Sequence, residues 1–157
     1  MNPQLLRSAT ATLLTEICDG PPDPKRTWVV SNEAGSGVLG TVAKLSVAQA
    51  THRPPGVTRC VAEHVAHLVF ALRTSLRYAQ GDMSPANWDS SWEIGKLDEA
   101  GWKSLQAALR QAHQDLLAWN VPDEAFGNFD VVCGYCGTVA HAAYHLGAIR
   151  QLALQCR

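Results

Sequence analysis

The feature that most constrains the fold is an apolar pattern at helical spacing between Asp98 and Trp119. Apolar residues recur there at alternating steps of three and four, which places them on one face of a helix. A helix with such a face buries it against other helices, as in the seam of a bundle. The residues of this face are Trp102, Leu105, Leu109, Ala112, Leu116 and Trp119. Asp98 is a suitable N-cap, and Val121 and Pro122 end the helix.

The same spacing predicts three more long helices and one short one. The first long helix covers Pro3–Cys18 and the second covers about Thr58–Ala79, with Thr58 as its cap. A short helix is predicted over 38–50. The last long helix runs to the C-terminus, and its start is uncertain because Gly134 and Gly137 weaken its first turns.

Two apolar rows are predicted to enter the core from the first and second long helices. In the first helix the row is Leu6, Ala9, Leu13 and Ile17, with Leu5 and Leu14 beside it. In the second helix it is Val61, Val65, Leu68, Leu72 and Leu76. No alternating pattern typical of strands competes with these helices. The prediction is therefore an all-α protein, a four-helix bundle with one or two extra short helices, in a single domain over residues 1–157. The long connection between the first two long helices favours a topology with at least one crossover.

Composition excludes several classes of function. The chain has 157 residues, of which 46% are apolar and 17% charged, and its net charge is −1. No block of Lys or Arg indicates a nucleic-acid surface, and no apolar run approaches the roughly 20 residues of a membrane span. The N-terminus does not resemble a signal peptide. Five cysteines without framework spacing predict reduced thiols, and hence a cytoplasmic protein.

Four of the six histidines form two pairs that border the core rows. His141 and His145 are four residues apart, and His64 and His67 are three apart, so each pair shares one helix face. Several imidazoles that converge in a bundle interior favour a divalent metal site, because buried polar groups need partners. The alternative is a hydrogen-bonded cluster of core histidines.

The residues around the pairs restrict the chemistry that such a metal could support. The pattern is not that of a zinc protease, because Ala142 stands where HExxH has its Glu, and Glu63 is the one weak candidate for a carboxylate base. Neutral imidazoles leave the ion its full charge, which suits an added thiolate or oxyanion. Cys133 and Cys136 could form a redox pair or half of a zinc site, but packing near a helix start is favoured.

Two further groups of residues have a structural and a functional interpretation. Cys60 lies one turn before His64 and could approach the metal, although a small buried apolar residue is the favoured interpretation. Trp88 and Trp92 lie in a long connection and should pack against the bundle, for which an open site is one candidate location.

Three segments together resemble the DinB-like (DinB/YfiT) superfamily. They are His141-Ala-Ala-Tyr-His145-Leu-Gly-Ala-Ile-Arg-Gln, Val61-Ala-Glu-His64-Val-Ala-His67-Leu and Asn87-Trp88-Asp-Ser-Ser-Trp92, the last of which is similar to a branch of uncharacterised bacterial members. The resemblance implies a four-helix bundle of the family's non-simple topology. It also implies a divalent metal, commonly nickel or zinc, held by His67, His141 and His145, with His64 as an alternate or additional ligand.

The resemblance implies a class of reaction less directly. Some related proteins are transferases or isomerases that depend on a small thiol such as mycothiol, bacillithiol or glutathione. The first hypothesis is therefore a metal-dependent transferase in which a metal-bound thiolate attacks an electrophile. The second is a metal-dependent hydrolase with metal-activated water, and the third is a non-catalytic bundle that binds a ligand or partner. A small-molecule substrate, no nucleic acid, no membrane and a homodimer complete the expectations.

Overall fold

The computed structural model describes residues 2–156, and over that range it contains six α-helices, two 3-10 turns and no strand. The prediction of an all-α protein with four long helices is confirmed. The two 3-10 turns are Ser90–Trp92 and Asp123–Gly127. The helices are α1 (Pro3–Cys18), α2 (Val38–Val42), α3 (Val47–Thr51), α4 (Val61–Ala79), α5 (Glu99–Ala118) and α6 (Phe129–Gln155).

Of the four long helices, α4 and α5 run in one direction, and α1 and α6 run in the opposite direction. α4 packs against both α5 and α6, and α1 packs against α6 and α5. α6 is antiparallel to α4, because His67 meets His141 while Ser75, further along α4, meets Thr138, which is earlier in α6. The C-terminal ends of α4 and α5 lie together, so these two helices are parallel and their connection crosses the length of the bundle. The topology therefore contains the predicted crossover.

Side-chain caps explain where the helices begin. Asp98 accepts a hydrogen bond from the Gly101 N–H, which confirms it as the cap of α5. The predicted start of α4 at Thr58 is wrong: the helix begins at Val61, because Glu63 accepts the N–H of Cys60 and fixes the first turn there. α6 begins at Phe129 after the cap residue Asn128 and continues through both glycines.

The short helix predicted over 38–50 is in fact two helices. α2 ends at Val42, and α3 starts after Ser46, whose side chain accepts a hydrogen bond from the Gln49 N–H. The indole N–H of the buried Trp102 donates to the carbonyl of Leu45 at 2.9 Å. This bond anchors the segment between the two helices against α5, so the chain turns there instead of continuing as one helix.

The core row predicted for α1 is correct at Ile17 and at the neighbouring Leu14, but earlier in the helix it is displaced by one position, where Thr10 is buried instead of Ala9. Leu5 is 68% exposed and Ala9 is exposed, whereas Thr10, Leu14 and Ile17 are buried. The reason is Glu16, which is fully buried. Its Oε1 accepts three backbone N–H groups at 2.7–2.9 Å, from Trp28, Val29 and Val30. Because the Glu16 carboxylate faces the interior, the helix is rotated about its axis, and this changes which other side chains of α1 face the core.

The remaining predicted rows agree with the structure, with one exception. In α4 the residues Val61, Val65, Leu68 and Leu72 are all buried. In α5 the row is buried or partly buried as far as Leu116, but Trp119 is 37% exposed because it is the C-cap, past the last helical residue. No helix within residues 2–156 is both long and apolar enough to cross a membrane.

Candidate metal centre

The structure brings His67 of α4 together with His141 and His145 of α6. The Nε2 atom of His141 lies 3.2 Å from Nε2 of His67 and 2.9 Å from Nε2 of His145. One ligand atom from each ring lies within 4.8 Å of the other two. Three imidazole nitrogens from two antiparallel helices therefore point at one small volume.

This arrangement fits a divalent metal ion. Imidazole nitrogens bind zinc at about 2.0–2.1 Å, so two nitrogens on one ion lie about 2.9–3.4 Å apart, depending on the coordination angle. The two separations around His141 fall in that range. The donor set is three imidazoles without a carboxylate, which suits a first-row transition-metal ion better than magnesium or calcium.

Ser91 determines which nitrogen of His67 is free. The Ser91 hydroxyl donates its one proton to the carbonyl oxygen of Trp88, so its oxygen accepts from His67 Nδ1–H at 2.6 Å. In a neutral imidazole the other nitrogen then carries a lone pair. We infer that Nε2 of His67 is the lone-pair nitrogen, and this is the atom that faces His141.

His64 lies behind His145 rather than beside the three converging nitrogens. Its Nδ1 is 2.9 Å from Nδ1 of His145, on the opposite side of that ring from Nε2. If His145 donates this proton, its Nε2 is free to act as a ligand. A hydrogen bond of this kind orients an imidazole and raises its basicity.

The connection between α4 and α5 covers the centre with aromatic rings. The ring of Trp92 stacks on His67, with centroids 3.9 Å apart and an interplanar angle of 14°. Trp88 makes tilted contacts with His67 and His141. The guanidinium of Arg59 lies over the Trp92 ring at 5.0 Å. The interpretation that the tryptophans pack over the site is therefore confirmed.

The surroundings keep the imidazoles uncharged at neutral pH. Burial is the largest cause and lowers the pKa of His67 to about 4, and the neighbouring histidines and Arg59 add to the effect. Burial and the surrounding histidines lower the pKa of His145 to about 3. Burial also lowers the pKa of His64 and of His141. Metal ligation requires neutral imidazole, so this environment prepares the rings for it.

Glu63 is occupied as part of the structure and is not free to act as a base. Its carboxylate accepts from the Cys60 N–H at 2.8 Å, from Arg53 at 2.7 and 3.1 Å, and from Arg59 at 3.3 Å. Burial raises its pKa, but these hydrogen bonds and the Arg53 charge outweigh burial, and the pKa is lowered overall. The carboxylate therefore stays ionised and held at the start of α4.

The cysteines do not join the histidine centre. Cys60 is buried at the cap of α4, as the structural interpretation predicted. Cys133 and Cys136 are both exposed on α6, so the interpretation that they pack near the helix start is wrong. They lie on the surface because the buried face of α6 is the row formed by Ala142, Leu146 and Ile149.

Two residues of this centre were not found from the sequence. The neighbouring Trp88 and Trp92 predict packing against the bundle, but no local pattern shows that the Ser91 hydroxyl meets a histidine from α4. Arg59 precedes α4 and reaches the centre only because Trp92 folds back over it. The segment Asn87-Trp88-Asp-Ser-Ser-Trp92 in the resemblance was the available signal for both contacts.

The fold is a four-helix bundle with an internal crossover, and three imidazoles converge in its interior. These features place the protein in the class of helical bundles with a candidate metal centre. A family model, the DinB superfamily, matches residues 32–149. The chain belongs to the DinB superfamily. The match includes α4, the crossover with its tryptophans and most of α6, so every residue of the centre lies inside it. No curated protein and no solved structure matches the chain.

Proposed function

We propose that this protein is a metal-dependent enzyme that uses a small thiol in a transfer reaction. His67, His141 and His145 would bind a nickel or zinc ion, and His64 would hold His145 in place. The observation that supports this most is the convergence of three neutral Nε2 atoms without a carboxylate among them. Such a donor set leaves a divalent ion its full charge and favours an anionic partner.

The positive charge of a nearby arginine adds to this preference for an anionic partner. The charge of Arg59 lowers the pKa of both His64 and His67, and its side chain, which also pairs with Glu63 at 3.3 Å, is 41% exposed at the edge of the centre. A divalent ion bound there would lower the pKa of a thiol and so supply a thiolate at neutral pH. The chain itself would orient an anionic group through Arg59 and exclude water on one side through Trp92.

Within residues 2–156, the carboxylate and the histidine nearest the three ligands are both engaged, which leaves the hydrolase alternative without a free base. Hydrolysis by activated water commonly relies on a carboxylate or histidine that takes a proton. Glu63 holds Cys60 and two arginines, and His64 is engaged with His145. A thiol begins with a pKa of about 8.5 and bulk water with about 15.7, so a thiol needs a much smaller shift from the metal and depends less on a base, which favours the thiol reaction.

Elemental analysis tests the metal first. The protein is purified without a metal-affinity tag and analysed before and after dialysis against a chelator. About one nickel or zinc ion per chain, lost on dialysis and regained on adding the ion, is expected. No metal and no uptake would overturn the proposal and leave a hydrogen-bonded histidine cluster in a non-catalytic bundle.

A thiol titration then separates transferase from hydrolase. The apo protein is loaded with Co²⁺, and glutathione or another small thiol is added while the visible and near-ultraviolet spectrum is recorded. A saturable sulfur-to-cobalt band is expected, and the metal-free protein is the control. A spectrum that does not respond to any thiol would reject the transferase and favour activated water.

Several parts of the proposal come from the sequence and the resemblance alone. We expect a small-molecule substrate without nucleic acid, a cytoplasmic location and a homodimer. Sedimentation at several concentrations measures the last of these directly.

A further inference from the structure

A cleft of about 700 Å³ lies at the end of the bundle away from the histidines. It is enclosed by the first half of α1, the C-terminal ends of α4 and α5, and the first half of α6. No histidine within residues 2–156 lines it. On α4 the cleft residue Tyr78 follows His67 by eleven residues, which is about 16 Å along a helix. The lining residues nearest the centre are Ser75, eight residues after His67, and Thr138, three residues before His141, so the cleft begins about one helical turn from the candidate metal centre and extends away from it.

The cleft is larger than ordinary packing defects. Protein interiors are close-packed, and voids larger than a water molecule are few. Ligand sites typically have about 300–1,000 Å³, with mostly apolar walls and a small number of placed polar groups. Apolar side chains form most of the walls here. They include Leu14, Leu116, Val121 and Val131.

The polar groups of the lining are mainly hydroxyls. The hydroxyls come from Ser8, Thr10, Ser75, Tyr78, Tyr135 and Thr138, and the amides of Asn120 and Asn128 lie beside them. The Ser75 and Thr138 hydroxyls hydrogen-bond each other at 3.0 Å across the α4–α6 interface. Burial raises the pKa of Tyr135, so its hydroxyl stays protonated and able to donate.

Free charge is scarce in this cleft. Among the described residues, Arg7 and Asp130 are the charged side chains of the lining. Arg7 is already engaged, because it pairs with Asp123 and donates to the Val121 carbonyl at 2.9 Å. Asp130 is exposed to solvent, where water screens its charge, so neither an anionic nor a cationic ligand would find a buried opposite charge in exchange for its lost hydration.

We propose that this cleft binds an uncharged, mainly apolar organic molecule of about drug size, with a hydroxyl or carbonyl group that the cleft hydroxyls contact. The walls bury the apolar part of the ligand, and its removal from water stabilises the complex. The hydroxyls then select a neutral polar group. This site does not depend on the metal or on the thiol reaction.

Two glycines of α6 provide a matched test. Gly134 lines the cleft and Gly137 does not, and a Cβ built on either meets nothing within 4 Å. A leucine at Gly134 would therefore extend into the cleft, whereas a leucine at Gly137 would extend from the exposed surface of the same helix. Both substitutions raise helix propensity equally, so their effects on the stability of α6 cancel in the comparison.

The experiment titrates each protein with N-phenyl-1-naphthylamine, an uncharged apolar dye whose fluorescence increases in apolar surroundings. Saturable binding of one dye per chain is expected for the unmodified protein. Gly134→Leu should raise the dye's Kd at least 10-fold, and Gly137→Leu should leave it within 2-fold. Equal binding by the two variants, or a signal that never saturates, would overturn the proposal.

Two further measurements separate this site from the metal centre and test its charge preference. His141→Ala should bind the dye as well as the unmodified protein does, and loss of binding would place the dye at the histidines instead. The anionic dye 1-anilinonaphthalene-8-sulfonate should bind at least 10-fold more weakly than the neutral dye. Equal affinity would contradict the preference for an uncharged ligand. Circular dichroism of each variant confirms that the helices are intact.

Discussion

The two ends of the α4–α6 interface are built from the same helix faces but differ in what fills them. Tyr78 stands three turns below His67 on α4, and Gly134 stands two turns below His141 on α6. At the histidine end, the connection between α4 and α5 returns and places Ser91 and Trp92 on the rings. At the other end no segment of the described chain fills the space, and a cleft remains.

The comparison shows that the crossover decides the chemistry of each end. Polar rings in a bundle interior are costly unless they have partners. The crossover supplies those partners at one end through a hydroxyl, two indoles and the nearby Arg59. The other end keeps hydroxyls and apolar walls, which suits a neutral ligand. The predictions below test this division, from the largest expected effect to the smallest.

Replacement of a proposed ligand should have the largest effect. His141→Ala should weaken metal binding by more than about 100-fold, which is the upper limit for losing an outer hydrogen-bond partner. Isothermal titration of the apo protein with Zn²⁺ measures this. The matched control is His52→Ala, because His52 is exposed outside the centre.

Thermal unfolding provides the companion measurement for the same variant. Metal at about 100 times its Kd should add about 2.7 kcal/mol to the unfolding free energy of the unmodified protein and at most about 0.4 kcal/mol to that of His141→Ala. Without metal the two proteins should retain the same helical circular dichroism. A loss of helix in His141→Ala would show that the ring is required for folding instead.

Loss of the crossover hydroxyl should have a smaller effect at the same end. Ser91→Ala removes the acceptor of His67 Nδ1–H, and a partner of this kind typically changes metal affinity by about 10–100-fold. Ser90→Ala is the matched control, since Ser90 lies on the same turn, is exposed and contacts Asn87. Equal affinities for the two variants would mean that the crossover does not position His67.

The unfolding free energy should fall at acid pH for two reasons, one in the histidine centre and one at His113. His113 lies outside both the centre and the cleft. Burial lowers the pKa of His113, against an opposite effect of Asp19 and with a further lowering by Arg110. Its folded form is therefore neutral, while the unfolded chain takes up a proton below about pH 6.5. The unfolding free energy consequently falls as the pH drops below that value.

His113→Gln isolates this contribution. The unfolding free energy of this variant and of the unmodified protein is measured by urea unfolding between pH 7 and pH 5, in the presence of a chelator. The slope of that free energy against pH should be smaller in the variant by at most about 1.4 kcal/mol per pH unit, which is the value for one proton. The slope that remains belongs to the other groups, including the buried histidines of the centre. A slope identical to that of the unmodified protein would show that His113 titrates alike in both states.

The smallest effect is expected on the exposed side of α6. Gly137→Ala should raise the unfolding free energy by about 1 kcal/mol, because the added methyl group meets nothing within 4 Å and the helix gains propensity. Metal and dye affinities should not change. A thermal shift of about 2–4 °C is the corresponding measurement for a chain of this size, and destabilisation would indicate an unrecognised contact on that face.

The sequence by itself determined the all-α class, the four long helices and the pairing of histidines on their faces. The reason is that helical spacing, caps and breaks are local properties, as the cap at Asp98 and the row from Val61 to Leu72 show. It also predicted that the tryptophans of the long connection pack against the bundle, with an open site as one candidate location. The family resemblance pointed to His67, His141 and His145 as the set to consider.

Only the tertiary structure decided how those histidines relate to one another and to the rest of the chain. The position of His64 behind His145, the bond from His67 to Ser91 and the engagement of Glu63 by two arginines all join residues on different segments. The rotation of α1 around the buried Glu16 and the cleft at the far end have the same origin. Contacts between distant segments depend on how the helices pack and where the crossover returns, and no local pattern records that.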